Sequence, residues 1–195
     1  MKTKNKSRQE IQKLVLLSVL SAIVAVLAYV SQFIALGGTP VTLTLIPVVL
    51  GAALCGQFAG AWLGGVSGVI ILVTGQATWF LGFSIPGTII TVMVKGILSG
   101  FCAGLVYKIL AIFNRYLAVL VSAIVCPVVN TGIFLLGSLI FFMDTVSAGA
   151  AADGMSVGGY LIVAFVGLNF VFELLANIIF SPVILKVLSL RKKHN

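Results

Sequence analysis

Two ionisable side chains, Lys95 and Glu173, sit well inside long apolar runs of this 195-residue chain. A charge at the centre of a membrane-spanning helix costs on the order of 3 kcal/mol on the insertion scale, so such residues are usually paired or functional. Asn130, Asn169 and Asn177 accompany them. Asn169, Glu173 and Asn177 fall at i, i+4 and i+8, which aligns them on one helix face. Thr88, Thr91 and Lys95 share a face in the same way. At about 1.5 Å of rise per residue, Lys95 lies roughly 13 Å, Asn169 roughly 16 Å and Glu173 roughly 22 Å below the outer membrane boundary. Asn130 lies near the middle of its own run. The chemistry on offer is recognition: an ammonium that can neutralise an anionic group, and amides that can orient a polar solute. The alternative is a Lys95–Glu173 ion pair that only fixes helix register, with Asn130 as interhelical glue. Gln76, Trp79, Phe80 and Phe83 lie above this cluster, as an aromatic belt or as a lid.

Covalent chemistry finds no foothold. Gly65-Val66-Ser67-Gly68 matches a G-x-S-G pattern, but a serine nucleophile needs a base, and the only histidine is His194 in the tail. Cys55, Cys102 and Cys126 lack the C-x-x-C spacing of a metal or redox site and read as buried thiols. Neither a phosphate-cradling G-x-x-x-x-G-K-[ST] loop nor a pair of carboxylates on one helix is present. An enzyme is therefore not expected, nor is a metal or cofactor.

The elements that must position these residues follow from composition. Hydrophobic residues make up 61% of the chain and charged ones 8%, against roughly a quarter charged in an ordinary soluble domain. That balance predicts an all-α integral membrane protein, because backbone groups inside lipid must be satisfied within the segment. Hydropathy and punctuation predict six transmembrane helices in one membrane domain, at about 14–36, 40–55, 57–74, 86–110, 117–143 and 158–188, after a basic tail at 1–13. Each is read against the roughly 20 apolar residues that span a hydrocarbon core. The first run is too long for a signal-peptide core and is expected to be retained.

The formal charge of +8 does not point to nucleic acid. Lys2, Lys4, Lys6, Arg8 and Lys13 precede the first run and Arg191, Lys192 and Lys193 follow the last, as the positive-inside rule requires of cytoplasmic ends. Six crossings put both termini inside and leave Asp144 and Asp153 outside. Gly56, Gly60, Gly64 and Gly68, and likewise Gly96, Gly100 and Gly104, recur every four residues and let helix backbones approach. Ser18 with Ala22, and Ser21 with Ala25, form similar small pairs on the first helix, suited to internal packing or to a partner helix.

The chain resembles the substrate-binding S-components of energy-coupling factor (ECF) vitamin importers. The resemblance rests on the basic tail followed by Ser18-Val19-Leu20-Ser21-Ala22-Ile23-Val24-Ala25, on Gly38-Thr39-Pro40-Val41-Thr42-Leu43-Thr44-Leu45-Ile46-Pro47-Val48 and on Gly56-Gln57-Phe58-Ala59-Gly60. Cys126-Pro127-Val128-Val129-Asn130-Thr131-Gly132 and Asn169-Phe170-Val171-Phe172-Glu173-Leu174 extend it. It implies a six-helix bundle in the bacterial cell membrane that captures a vitamin from outside and docks on a transmembrane coupling protein driven by two ATPase subunits. The family's A-x-x-x-A docking motif would fall on Ser18, Ser21, Ala22 and Ala25, with serine replacing the first alanine. The pattern is most similar to pantothenate-type members, although biotin and folate also carry carboxylates; the residues expected to bind substrate, from their polarity and placement, are Lys95, Asn130, Asn169, Glu173, Thr91, Trp79 and Phe83. The competing expectation is a stand-alone secondary transporter in which Glu173 carries a proton.

Overall fold

The computed structural model describes residues 2–36 and 39–193. Its long helices are α1 (Lys2–Ser31), α5 (Ile85–Leu110), α6 (Arg115–Phe141) and α9 (Gly167–Lys193), with the shorter α2 (Leu45–Cys55) and α3 (Gln57–Val73) between the first two. Short helices α4 (Thr78–Leu81), α7 (Met143–Ala152) and α8 (Val157–Tyr160) complete the bundle, and a π-helical stretch, Leu161–Val166, joins α8 to α9. Among the described residues, four helices are long and apolar enough to cross a membrane, and α7 with the segment after it counts as a fifth span if a 95° bend is allowed. The chain is a multi-pass membrane protein.

Boundaries shift where turn chemistry intervenes. α1 begins at Lys2, well before the expected start near residue 14, and stops at Ser31. The chain then turns into a two-residue antiparallel ladder, β1 (Ala35–Leu36) on β2 (Thr39–Pro40), pairing Ala35 with Pro40 and Leu36 with Thr39. α2 accordingly starts at Leu45 rather than near 40. Gly56 alone separates α2 from α3, and its φ of +100° is a conformation that a side chain would resist. The stretch expected as an outer connection, 144–157, is largely α7, whose Val146 and Ala150 are buried one turn apart.

Two apolar clusters hold the bundle. Leu20 and Val24 of α1, Val48 and Val49 of α2, Leu63 of α3, Ala103 of α5, Val119 and Ala123 of α6 and Ile184 of α9 form the larger. Phe142, Val146 and Leu161, backed by Phe80 and Phe134, form the smaller at the end that carries α4 and α7. Between α3 and α5 there is almost no side-chain layer. A Cβ added to Gly60 would meet the Gly100 carbonyl, one added to Gly64 the Gly96 carbonyl, and the reverse substitutions would collide equally. The two glycine ladders are therefore used on each other, inside the molecule, as close van der Waals packing in lipid allows.

Candidate functional site

The positions that build the site lie on five stretches of chain. Ser84 caps α5 by accepting a hydrogen bond from the Gly87 amide at 3.2 Å, which fixes the start of the helix that carries Lys95. α6 presents Asn130 and, one turn on, Phe134; α9 presents Asn169 and Glu173. α4 and its leading turn supply Gln76 and Phe80, and the connection before α2 supplies Thr42. Together these side chains surround a cavity of about 80 Å³.

Glu173 is 3% exposed, and its Oε1 accepts a hydrogen bond from the Thr42 backbone amide at 2.7 Å. One turn along, the Asn177 Nδ2 donates to the Glu173 carbonyl at 2.9 Å. Asn177 thus braces the α9 backbone below the cavity instead of lining it. Lys95 Nζ stands 5.0 Å from the centre of the Phe134 ring, close enough for a cation–π attraction. Lys95 and Glu173 face the same cavity, yet among the described residues no ion pair joins them. The nearest partner of Glu173 is the Thr42 main-chain N–H, and that of Lys95 is the Phe134 ring. Gln76 is anchored, donating through Nε2 to the Ala28 carbonyl at 2.7 Å and to Thr74 Oγ1 at 3.0 Å.

Of the residues singled out from sequence, Lys95, Asn130, Asn169 and Glu173 come together around this one cavity. Thr91 does not join them. It is buried on α5 against Gly137 of α6, whose missing side chain lets α6 close over it. Trp79 and Phe83 are each 53% exposed and stack edge-on with one another behind Phe80, their ring centres 4.9 Å apart. The aromatic walls of the cavity are Phe80, Phe134 and Phe170 instead. Phe134 was legible in principle, four residues beyond Asn130 on the same face. Thr42 gave no such signal, because it lies ahead of α2, outside the helices whose periodicity marks a face, and its amide takes part in the contact.

On α1, Ser18 and Ala22 lie on the exposed face, while Ser21 and Ala25 are half-buried. Ser21 Oγ accepts from Trp62 Nε1 at 3.3 Å, which ties that edge of α1 to α3. Cys55 and Cys102 are half-buried free thiols and Cys126 a buried one. Among the described residues no group of three or more His, Cys, Asp and Glu side chains is placed to hold a metal ion.

The charges and amides inside these apolar helices thus converge on one recess. A sequence model of the family described as ECF transporter, substrate-specific component, matches residues 12–188, and the chain belongs to that family. Neither the curated proteins nor the solved structures gave a significant match. Membership makes the chain a substrate-binding membrane subunit of an ECF transporter, a transport protein rather than an enzyme, whose small-molecule substrate is moved by partner modules that use ATP.

Proposed function

We propose that the chain captures a vitamin carrying a carboxylate, pantothenate in the first instance, at the bacterial plasma membrane and delivers it to a coupling protein driven by two ATPase subunits. The observation that carries this reading is the convergence of Lys95, Asn130, Asn169 and Glu173 on one cavity. Lys95 neutralises the ligand carboxylate, the two asparagines meet its amide, and the Glu173 oxygens accept from its hydroxyls. Phe80, Phe134 and Phe170 enclose its aliphatic middle. Both termini lie in the cytoplasm, and six segments cross: α1, α2, α3, α5, α6 and the run from α8 through α9. α2 and α3 are the short ones, about 16 and 26 Å at helical rise, and the buried residues Val41 and Thr44 before α2 extend its crossing.

A cavity of about 80 Å³ is well below the roughly 300–1,000 Å³ that usually encloses a small ligand. Entry therefore requires a wall to move, and the Thr42 segment, held to Glu173 through the Thr42 amide and side chain, is the wall that moves. Ser18 and Ala22, outward on α1, take the coupling protein.

Mass spectrometry of the denatured protein after purification in mild detergent tests the substrate. A near-stoichiometric vitamin with a carboxylate supports the reading. Failure to retain or bind any vitamin, together with proton-driven uptake by the purified chain alone in liposomes, overturns it in favour of a secondary transporter.

A further inference from the structure

At the opposite end of the bundle from α4 and α7, the start of α6 and the last turns of α9 leave a second recess, of about 310 Å³. Arg115, Tyr116 and Lys186 line it as exposed side chains, and Leu185 and Leu188 as half-buried ones, beside Pro182. The chain has four acidic residues, Glu10, Asp144, Asp153 and Glu173, and none of them lines the recess. Among the described residues neither Arg115 nor Lys186 has an ion-pair partner. The start of α6 is already capped, since Asn114 Oδ1 accepts from the Tyr116 and Leu117 amides at 2.8 and 3.3 Å. Positive potential in the recess thus comes from the two side chains.

Its surroundings are those of a membrane surface. Ile112 and Phe113 beside it are 80% and 81% exposed, and Tyr116 is 73% exposed. An exposed tyrosine next to basic residues at a helix end is the pattern of a lipid–water boundary.

We propose that this recess binds the headgroup phosphate of an anionic phospholipid. The Arg115 guanidinium and the Lys186 ammonium take the phosphate oxygens, and the acyl chain lies along Pro182, Leu185 and Leu188. Basic pockets between helices at the membrane surface bind such headgroups, and the guanidinium fork matches phosphate geometry. The apolar side of the recess is what separates a lipid from a free phosphate, which would leave Leu185 and Leu188 uncovered. This site is separate from the cavity of Lys95 and Glu173 and does not depend on which solute binds there.

The test is native mass spectrometry of the full chain in neutral detergent, titrated with short-chain phosphatidylglycerol, short-chain phosphatidylcholine or inorganic phosphate. Phosphatidylglycerol is expected to bind more tightly than phosphatidylcholine. The double variant Arg115→Gln/Lys186→Gln should lose on the order of thirtyfold in that affinity, and the charge-matched control Lys13→Gln/Lys108→Gln less than about threefold. Equal losses in both double variants would reduce the effect to bulk charge and overturn the site. So would equal binding of the two lipids by the unaltered chain, or displacement of phosphatidylglycerol by millimolar inorganic phosphate. Should the first double variant fail to fold, the two-lipid comparison on the unaltered chain decides alone.

Discussion

Glu173 Oε1 and the Thr42 amide meet at 2.7 Å although 131 positions separate them in the chain. The contact joins α9 to the connection ahead of α2, and both residues line the polar cavity. It also accounts for Lys95, which stands over Phe134 in the absence of an ion pair with the carboxylate. On the proposed reading the ammonium is left for the ligand carboxylate.

The hydrogen bond can be read at a single amide. A bond to a charged acceptor contributes about 1.5–3 kcal/mol, so in Glu173→Ala the Thr42 amide should exchange its hydrogen roughly ten- to a hundredfold faster. Hydrogen-exchange mass spectrometry on peptides spanning residue 42 makes the measurement. Unchanged exchange would mean that the segment is held by something other than Glu173.

Lys95→Met keeps the length and packing of the side chain while removing its charge. Affinity for a carboxylate ligand should fall by about ten- to a hundredfold, the range for a lost charge-assisted hydrogen bond. Calorimetry with the vitamin and with its primary amide separates the two contributions. The amide should bind the variant and the unaltered protein alike, and a variant that keeps full affinity for the carboxylate removes Lys95 from the site.

Glycine substitutions should divide sharply between the α3–α5 seam and a position outside it. Gly64→Ala or Gly96→Ala forces a methyl group against a carbonyl of the other helix and should cost about 1–3 kcal/mol, as overpacking does. Gly132→Ala on α6, with open space around its Cβ position, should be nearly neutral or slightly stabilising. Unfolding in mixed detergent micelles compares the three, and similar losses for all would contradict the seam.

A bulky ring at Ala22, on the exposed face of α1, should leave vitamin binding intact while ATP-driven uptake by the assembled importer falls about tenfold or more, since close helix approach is blocked. Parallel binding and uptake assays on Ala22→Trp check this. Uptake at the unaltered rate would move the docking surface off this face.

The polar cluster was legible because charges and amides are conspicuous inside apolar runs. Lys95, Asn130, Asn169 and Glu173 stood out on cost alone and the fold brings them to one cavity. Periodicity placed Thr91 on the Lys95 face but could not show which neighbour covers it, and that is decided by the absent side chain of Gly137. Helix α7 escaped notice because its Ser, Ala and Gly residues read as a connection, and only Val146 and Ala150, packed near Phe142, give it a buried face. The hold on Thr42 was harder to read, since part of it runs through a backbone amide that any residue but proline offers.

Backbone packed directly on backbone leaves nothing that can repack. Other helix pairs slide by small rotamer changes in an intervening layer of side chains, but Gly60 and Gly64 against Gly100 and Gly96 provide none. α3 and α5 are thus a chassis, fixed in register and tilt. Side-chain rotamers can accommodate no movement in that seam, whereas at Gly167, with φ of +28°, the backbone itself departs from helical geometry.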